Sequence, residues 1–472
     1  MKTGNEELQA IIGTDSEGLT PEQITTVVEE ELTGQATMED YESYIARGYS
    51  KTLFDANLKE VPSSGMVKTV TLPIGVDSGS SSYRSGIVKM KGAFVDDDVL
   101  VTPNTYALIE GEVPLNVKAN SNVLYDNLEF IIRETSALNN RKPTMFHEPK
   151  HVIMGSLLEK IGATPKFQTT SSKIRQEPIY VLTMVHTALN IFIKNLNLAD
   201  KMETVNVPLG FILPPLEVED EYIEEFKTFF KGRTFEIRMP KFNKTYQVIF
   251  TDVADIYGES EVPFMYFLLS SPDPMKLIAE YTDKNVLVVD PGHNSMDLSF
   301  YRNKVLVDFV NDTYKDGVTG NTLIQSVSRA VAKNRGGNRP RDLSIYKALQ
   351  TGVLMDNYQE ENISDIIGKF KAEIADAMYS RIATTIQNST YGFNEIYSII
   401  FAGKTTNRAT AEESSENYVA PVADMIMKRY KHENPFANTK GIVLDCDNPS
   451  LLGLLYIMRN RFRKKQKEQN QN

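Results

Sequence analysis

The chain is 472 residues long with 41% hydrophobic content, enough apolar material for two or more cores. A formal charge of −11 and a pI near 5.2 exclude a surface built to bind nucleic acid over its whole extent, while leaving room for local basic patches. A single cysteine, Cys446, excludes an intramolecular disulfide, no charged-then-apolar leader opens the chain, and no apolar run reaches the ~18 residues of a spanning helix, so a soluble cytoplasmic protein is expected.

In chain order, residues 1–66 read as an acidic N-terminal extension with one good helix, TPEQITTVVEEELTG, capped by Thr20 with Pro21 at its first position and stopped by Gly34. Its stripe of Ile24, Val27, Val28 and Leu32 suits docking, and its polar flanks suit disorder; both readings stay open. Residues 70–90, VTLPIGVDSGSSSYRSGIVKM, predict a hairpin: an apolar strand ends in Asp77, Ser78 to Ser82 form a small-residue turn, and Ile87, Val88 and Met90 return. Lys89 on the returning strand is a candidate phosphate-side cation. Further short strands are expected in KGAFVDDDVLVTPNTYALIEGEVP, and residues 110–172 read as irregular. His147 and His151 in HEPKH are four apart, but Pro149 breaks a common helical face and no further ligand completes a metal set, so they read as surface histidines. A core helix follows from about Glu177 to Asn195, carrying His186 as a packed or capping residue, and hands over to the strand VNVPLGFILPP.

Residues 205–270 then run as strand VNVPLG, acidic helix EVEDEYIEEFKTFF, strands around FEIRMP and YQVIFTDV, and YGESEVPFMYFLLSS. In the last of these, Gly258-Glu259-Ser260 precede a helix beginning near Val262, whose positive end would by itself favour Glu259 and Glu261. Residues 285–301 repeat the hairpin design: the buried run Val286 to Val289 ends in Asp290-Pro291-Gly292, turns through His293-Asn294-Ser295, and resumes with Met296, Leu298 and Phe300. An acid at a strand's exit, followed by a turn rich in N–H groups, is a place to hold a phosphate and its Mg²⁺. Asp-Pro-Gly alone is an ordinary turn sequence; two such hairpins in one chain carry more weight. Asp316-Gly317 and Gly320 come before an amphipathic helix whose N-terminus offers free N–H groups, KNRGGNRPRD at 333–342 is a basic connector or contact loop, and a long helix at 364–388 leads to EIYSIIFAGKTTNRATAEE, a strand with a turn at Gly403. GIVLDCDNPSLLGLLYIM and the basic tail RNRFRKKQKEQNQN close the chain.

The paired Asp-ended hairpins resemble the nucleotide clamp of the actin superfamily, and the order of parts in 205–270 resembles the ParM-like plasmid-segregation actins. This resemblance spans about residues 67–460 through five short elements in order, without continuous identity. It implies an α/β, actin-like two-domain ATPase fold with a nucleotide cleft between the domains, preceded by the N-terminal extension. Domain I would take residues 67–282 with an inserted subdomain at about 91–172, domain II residues 283–440, a closing helix at 441–463 would return to domain I, and 464–472 would be a basic, polar tail.

By the same resemblance Glu259 orients the water that attacks the terminal phosphate, with Asp290 beside it in catalysis, and Asp77 and Asp290 hold Mg²⁺. Ser78, Gly79, Ser80 and Ser81 in one turn, and Gly292, His293, Asn294 and Ser295 in the other, would present N–H groups to the phosphates; Asp316 and Gly317 would meet the ribose, Gly403 and Lys404 the base. Two departures stand out. Gly403-Lys404-Thr405-Thr406 offers one glycine where the family has two or three, and His293-Asn294 replaces the usual Gly-Thr, which implies altered turnover. The implied function is a filament protein that polymerises head to tail with ATP (or GTP) and Mg²⁺ and disassembles after hydrolysis, segregating plasmid or phage DNA through an adaptor protein on centromere-like DNA, with no direct nucleic-acid contact and no membrane. The alternatives are a non-polymerising ATPase or small-molecule kinase, for which no substrate-activating aspartate stands out near the first hairpin, and a membrane-associated cell-division scaffold, for which the tail supplies only Phe462 as an apolar anchor.

Overall fold

The computed structural model describes residues 69–471 apart from 80–81, 112, 114–127, 137–140, 156, 168–171, 194–203, 219, 260, 303–304, 307–311, 315–316, 357–358, 390 and 404–406. The N-terminal extension and its predicted helix lie outside the described residues. Two compact units result: one ends at Tyr266 and resumes at Ser450, and the other runs from Phe267 to Pro449.

In the first unit, alternating and β-branched sequence gives β1 (Thr69–Thr71), β2 (Ile74–Asp77), β3 (Ser82–Ile87), β4 (Val99–Pro103), β5 (Thr105–Ile109), β6 (Leu128–Glu134), β7 (Lys150–Met154), β8 (Lys166–Phe167), β9 (Thr204–Leu213), β10 (Arg233–Met239) and β11 (Lys244–Gly258). They form an 11-stranded sheet in the order β4-β3-β2-β9-β11-β10-β6-β7-β5-β8, with β1 alongside β9. The predicted first hairpin is the antiparallel pair β2–β3, and β2 runs parallel to β9.

The segment read as irregular is a correction: between residues 110 and 172 the chain forms β6, β7, β8 and the short helix Leu157–Lys160. Polar residues inside these strands disguised them, because their burial is compensated by distant partners. Glu134 in β6 is buried, yet it takes Arg233 Nη1 at 2.6 Å and the N–H and hydroxyl of Thr144 at 2.9 and 2.8 Å. Burial works against the Glu134 carboxylate, but those donors outweigh it and hold the carboxyl below the usual range. The acidic helix is also two pieces, Pro215–Val218 and Ile223–Phe230. Asp220 lies between them, where it accepts from Tyr222 N and pairs with Arg175.

Helix α1 (Glu177–Ile193) covers β3, and His186 on it is a packed residue. One ring nitrogen meets Ser85 Oγ at 2.7 Å and the other Thr102 Oγ1 at 2.8 Å, so the helix is pinned to β3 and β4 through a fully buried polar link. The C-terminal helix Pro449–Gln471 rests on the same sheet over three glycines that are neighbours across adjacent strands, Gly86 opposite Gly75 and Gly75 opposite Gly210. A Cβ at these positions would stand 2.8 Å from Leu455, 3.0 Å from Leu455 and 2.6 Å from Met458, so the bare backbone sets how close the helix lies. Leu451, Leu454, Leu455 and Met458 are fully buried, each worth roughly 1.5–3 kcal/mol. The basic residues that follow are engaged as well: Arg459 bonds Gly92 O, Arg463 bonds Met90 O, and Arg461 pairs with Asp255 at 2.7 Å. Among the described residues, no helix is long and apolar enough to cross a membrane.

In the second unit, β12 (Asn285–Pro291), β13 (Met296–Arg302), β14 (Val305–Leu306), β15 (Asp312–Tyr314), β18 (Ile396–Phe401) and β19 (Lys440–Val443) form a 6-stranded sheet ordered β14-β13-β12-β18-β19, with β15 on β13; β16 (Val353–Asp356) and β17 (Gln359–Asn362) make a separate ladder. The predicted second hairpin is the antiparallel pair β12–β13, and Val286 to Val289 are fully buried, as a strand covered on both faces requires. Its core joins Leu287, Val289, Leu298 and Phe300 to Leu323, Val327 and Val331 of the helix Gly320–Asn334 and to Ile367, Met378 and Ile382 of the helix Ser364–Asn388.

Candidate functional site

In the first unit β2 delivers Asp77, 4% exposed, to the mouth of a turn that begins with buried Ser78. Ser78 Oγ donates to Ile212 O at 3.3 Å, and a Cβ on Gly79 would lie 2.7 Å from Ser82 O, so the tight turn requires glycine there. Ser80 and Ser81 lie outside the described residues. Asp77 stands directly across the ladder from Arg84, whose Nη1 donates to Asp77 Oδ2 at 2.9 Å. Arg84 is thus the cation of this hairpin. Lys89, the sequence candidate, is committed elsewhere, 2.5 Å from Asp98.

Glu259 follows the end of β11, with its N–H on Leu213 O at 2.8 Å, one residue along from the carbonyl that holds Ser78. The first turn and Glu259 are therefore tied to consecutive carbonyls of β9. The Glu259 carboxylate pairs with the Lys173 ammonium, a residue that sequence reasoning missed and that is 3% exposed. Burial works against the charge of Lys173, but Glu259, with Asp77 and Glu217 nearby, outweighs it and holds the ammonium above the usual lysine range. Buried Glu217 accepts the Lys173 and Ile174 amides at 2.7 and 2.8 Å; burial pushes its carboxyl up, against the pull of those bonds. Ser260 lies outside the described residues.

In the second unit Asp290, one residue before the end of β12, pairs directly with Asp297 of β13, so two carboxylates stand opposite each other near the tip of one ladder. Ser295 Oγ reaches Asp297 Oδ2 at 3.5 Å. The turn is less open to an anion than the sequence implied, because the Gly292 amide closes onto Asp290 O at 3.1 Å. His293 is half-buried, and burial pushes its imidazole down against the opposing charge of Asp342. Asn294 is half-buried beside it. The helix start at Gly320 was expected to offer free N–H groups. Instead the Gly320 and Asn321 amides donate to Gly292 O and His293 O at 3.0 and 2.8 Å, and Thr319 caps Thr322 N at 3.2 Å, so this end bolts the hairpin turn in place. Gly317 has φ 75° and is exposed, while Asp316 and Lys404 lie outside the described residues.

Gly403 is buried at the exit of β18, where a Cβ would stand 2.3 Å from Pro291 O; only glycine lets this turn lie against the end of β12. Beyond it, Asn407 is 4% exposed and neither polar atom of its side chain has a partner. Such an unmet need marks a place for a polar ligand. Lys371, on the helix Ser364–Asn388, is fully buried with Nζ on Arg408 O at 2.6 Å, and burial pushes its ammonium down to about 8. Neither residue carried a local sequence signal. Among the described residues no three His, Cys, Asp or Glu side chains form a metal cage.

No protein-family model matches the sequence, and no curated protein matches it either. Solved structures do. The actin-like protein Alp7A superposes with a TM-score of 0.57 at 15% identity, covering 86% of this chain and 100% of that one. The apo pSK41 ParM protein gives 0.54 at 14% identity over 85% and 99%, and the archaeal actin homologue Ta0583 gives 0.54 at 14% over 84% and 99%. Over most of its length, the chain has the α/β fold of the ParM-like and actin-like proteins.

Proposed function

We propose that this protein is an actin-like nucleoside triphosphatase that assembles into a head-to-tail filament with ATP and Mg²⁺ and disassembles after hydrolysis. The observation that carries the reading is the joining of Asp77, Ser78 and Glu259 at one end of β9, which supports reading the turn as a phosphate site and Glu259 as the carboxylate that orients water. Ser78 and Gly79 would meet phosphate oxygens with Arg84, Asp77 and Asp290 would hold the Mg²⁺ hydration shell, and Gly403 with Asn407 would face the base. Magnesium would supply charge neutralisation at the phosphates. Three structural neighbours support this by what they are: a Bacillus thuringiensis ParM with ATP, Ta0583 in complex with ADP, and a 15-stranded ParM filament from Clostridium botulinum. A heterologous surface repeated along an axis gives an open filament. The strongly acidic chain fits DNA segregation through an adaptor protein better than through direct DNA contact.

Electron microscopy of the purified protein with and without ATP and Mg²⁺, with light scattering and phosphate release on the same sample, tests the reading. Filaments that require ATP and a scattering decay that follows phosphate release are expected. Tight ATP binding without assembly at any concentration would overturn the filament, and Glu259→Ala with undiminished phosphate release would remove that residue from the chemistry.

A further inference from the structure

Lys173 lies at the point where the chain leaves the inserted strands and turns into α1. Three observations set it apart from ordinary packing. Its backbone is fixed: Glu217 grips the Lys173 and Ile174 amides, and the preceding Ser172 is held at φ 51°, a left-handed conformation that side chains rarely adopt. Its side chain is fixed: although lysine is among the costliest residues to immobilise and bury, it is 3% exposed and ends on Glu259. Its charge is surrounded by carboxylates: Glu259 is in contact with it, and Glu217 and Asp77 lie beyond. Among the described residues, Glu259 is held by its own backbone bond to Leu213 and by the lysine.

We infer that Lys173 is a positioning residue for Glu259, holding that carboxylate at the place from which it orients the attacking water. The inference rests on the triphosphatase reading above. It also gives the inserted strands a route to the chemistry, since their exit turn carries the lysine: a partner that shifts the turn shifts the carboxylate.

The test uses the full-length protein, ATP turnover, and ADP as a probe lacking the terminal phosphate. Lys173→Met should lower phosphate release at saturating ATP by ~10–100-fold, the scale of a misplaced catalytic group, while ADP affinity stays within about threefold. In a Glu259→Gln background the same change should cost almost nothing further, and Lys173→Arg should recover part of the loss. Losses that multiply in the double variant, or ADP affinity that falls in step with the rate, would overturn the inference. If Lys173→Met does not fold, Lys173→Gln and Lys173→Arg carry the same comparison. A wild-type protein that releases no phosphate would overturn the triphosphatase reading itself; the pair is then judged on melting temperatures, where non-additive losses keep the coupling of Lys173 to Glu259 and additive ones remove it.

Discussion

The two hairpins share a backbone plan and differ in charge. In the first, Asp77 stands across from Arg84, so the tip carries its own cation; in the second, Asp290 stands across from Asp297, and like charges directly opposite destabilise a ladder. The first ladder thus sets opposite charges face to face near its tip, and the second sets two carboxylates face to face. The buried lysines show the same division. Lys173 in the first unit is matched by carboxylates and held above the usual range, whereas Lys371 in the second has one carbonyl and is pushed down to about 8. A repeated backbone plan can therefore carry different local charge patterns.

The largest effect that would break this comparison is expected at the second tip. Asp290→Ala should lower Mg²⁺-dependent phosphate release by ~10²-fold or more, as loss of a group acting in the transition state does, and shift the Mg²⁺ requirement upward; unchanged Mg²⁺ dependence would place the ion elsewhere. Next comes the support beneath the first hairpin. Burial pushes the His186 imidazole from 6.5 down to about 3, so the folded state binds fewer protons there than the unfolded one, and stability should fall as pH drops below 6.5 and continue falling toward 3. The full loss is on the order of 5 kcal/mol, and His186→Gln should flatten that limb of a denaturant-midpoint titration.

Arg84→Ala should weaken ATP binding by roughly 10–100-fold, the worth of charge-assisted hydrogen bonds, with Lys89→Ala as the near-neutral control; equal losses for both would show that the first tip has no dedicated cation. The smallest effect is a gain. Lys371 is charged in the fold only below about 8 but in the unfolded chain up to 10.5, so its burial penalty is complete below pH 8 and vanishes as pH rises to 10.5. Lys371→Met should therefore be more stable at pH 7 by about 2 kcal/mol, net of the lost bond to Arg408, with the advantage shrinking in alkali. A destabilised variant at pH 7 would mean that the carbonyl bond outweighs desolvation.

Legibility in the sequence followed distance along the chain. Both hairpins were readable because apolar strands, an acid and a small-residue turn are local, and Arg84 was within reach of the same reasoning, seven positions from Asp77 and its direct partner in a tight ladder. The inserted strands were not, since buried Glu134 is neutralised by Arg233 across 99 positions, and polar residues in a strand look like loop until the partner is known. Lys173 was hidden for the same reason: its partner lies 86 positions away. The helix start at Gly320 misled because its capping is tertiary, supplied by the carbonyls of another turn.

The glycine row under the C-terminal helix bears on how the chain is made. Gly75, Gly86 and Gly210 leave a shallow trough in the sheet that Leu451, Leu454, Leu455 and Met458 fill, so the unit translated first is completed last, whereas among the described residues the core cluster of the second unit draws on positions 287–437. A ribosome that has released residue 449 from its tunnel thus holds one finished body and one open sheet with a bare apolar face, a species prone to mispairing at its edges. Stalling of nascent chains on either side of Leu451 to Met458, read by protease resistance, would show the second body protected first and the first only once this final helix emerges.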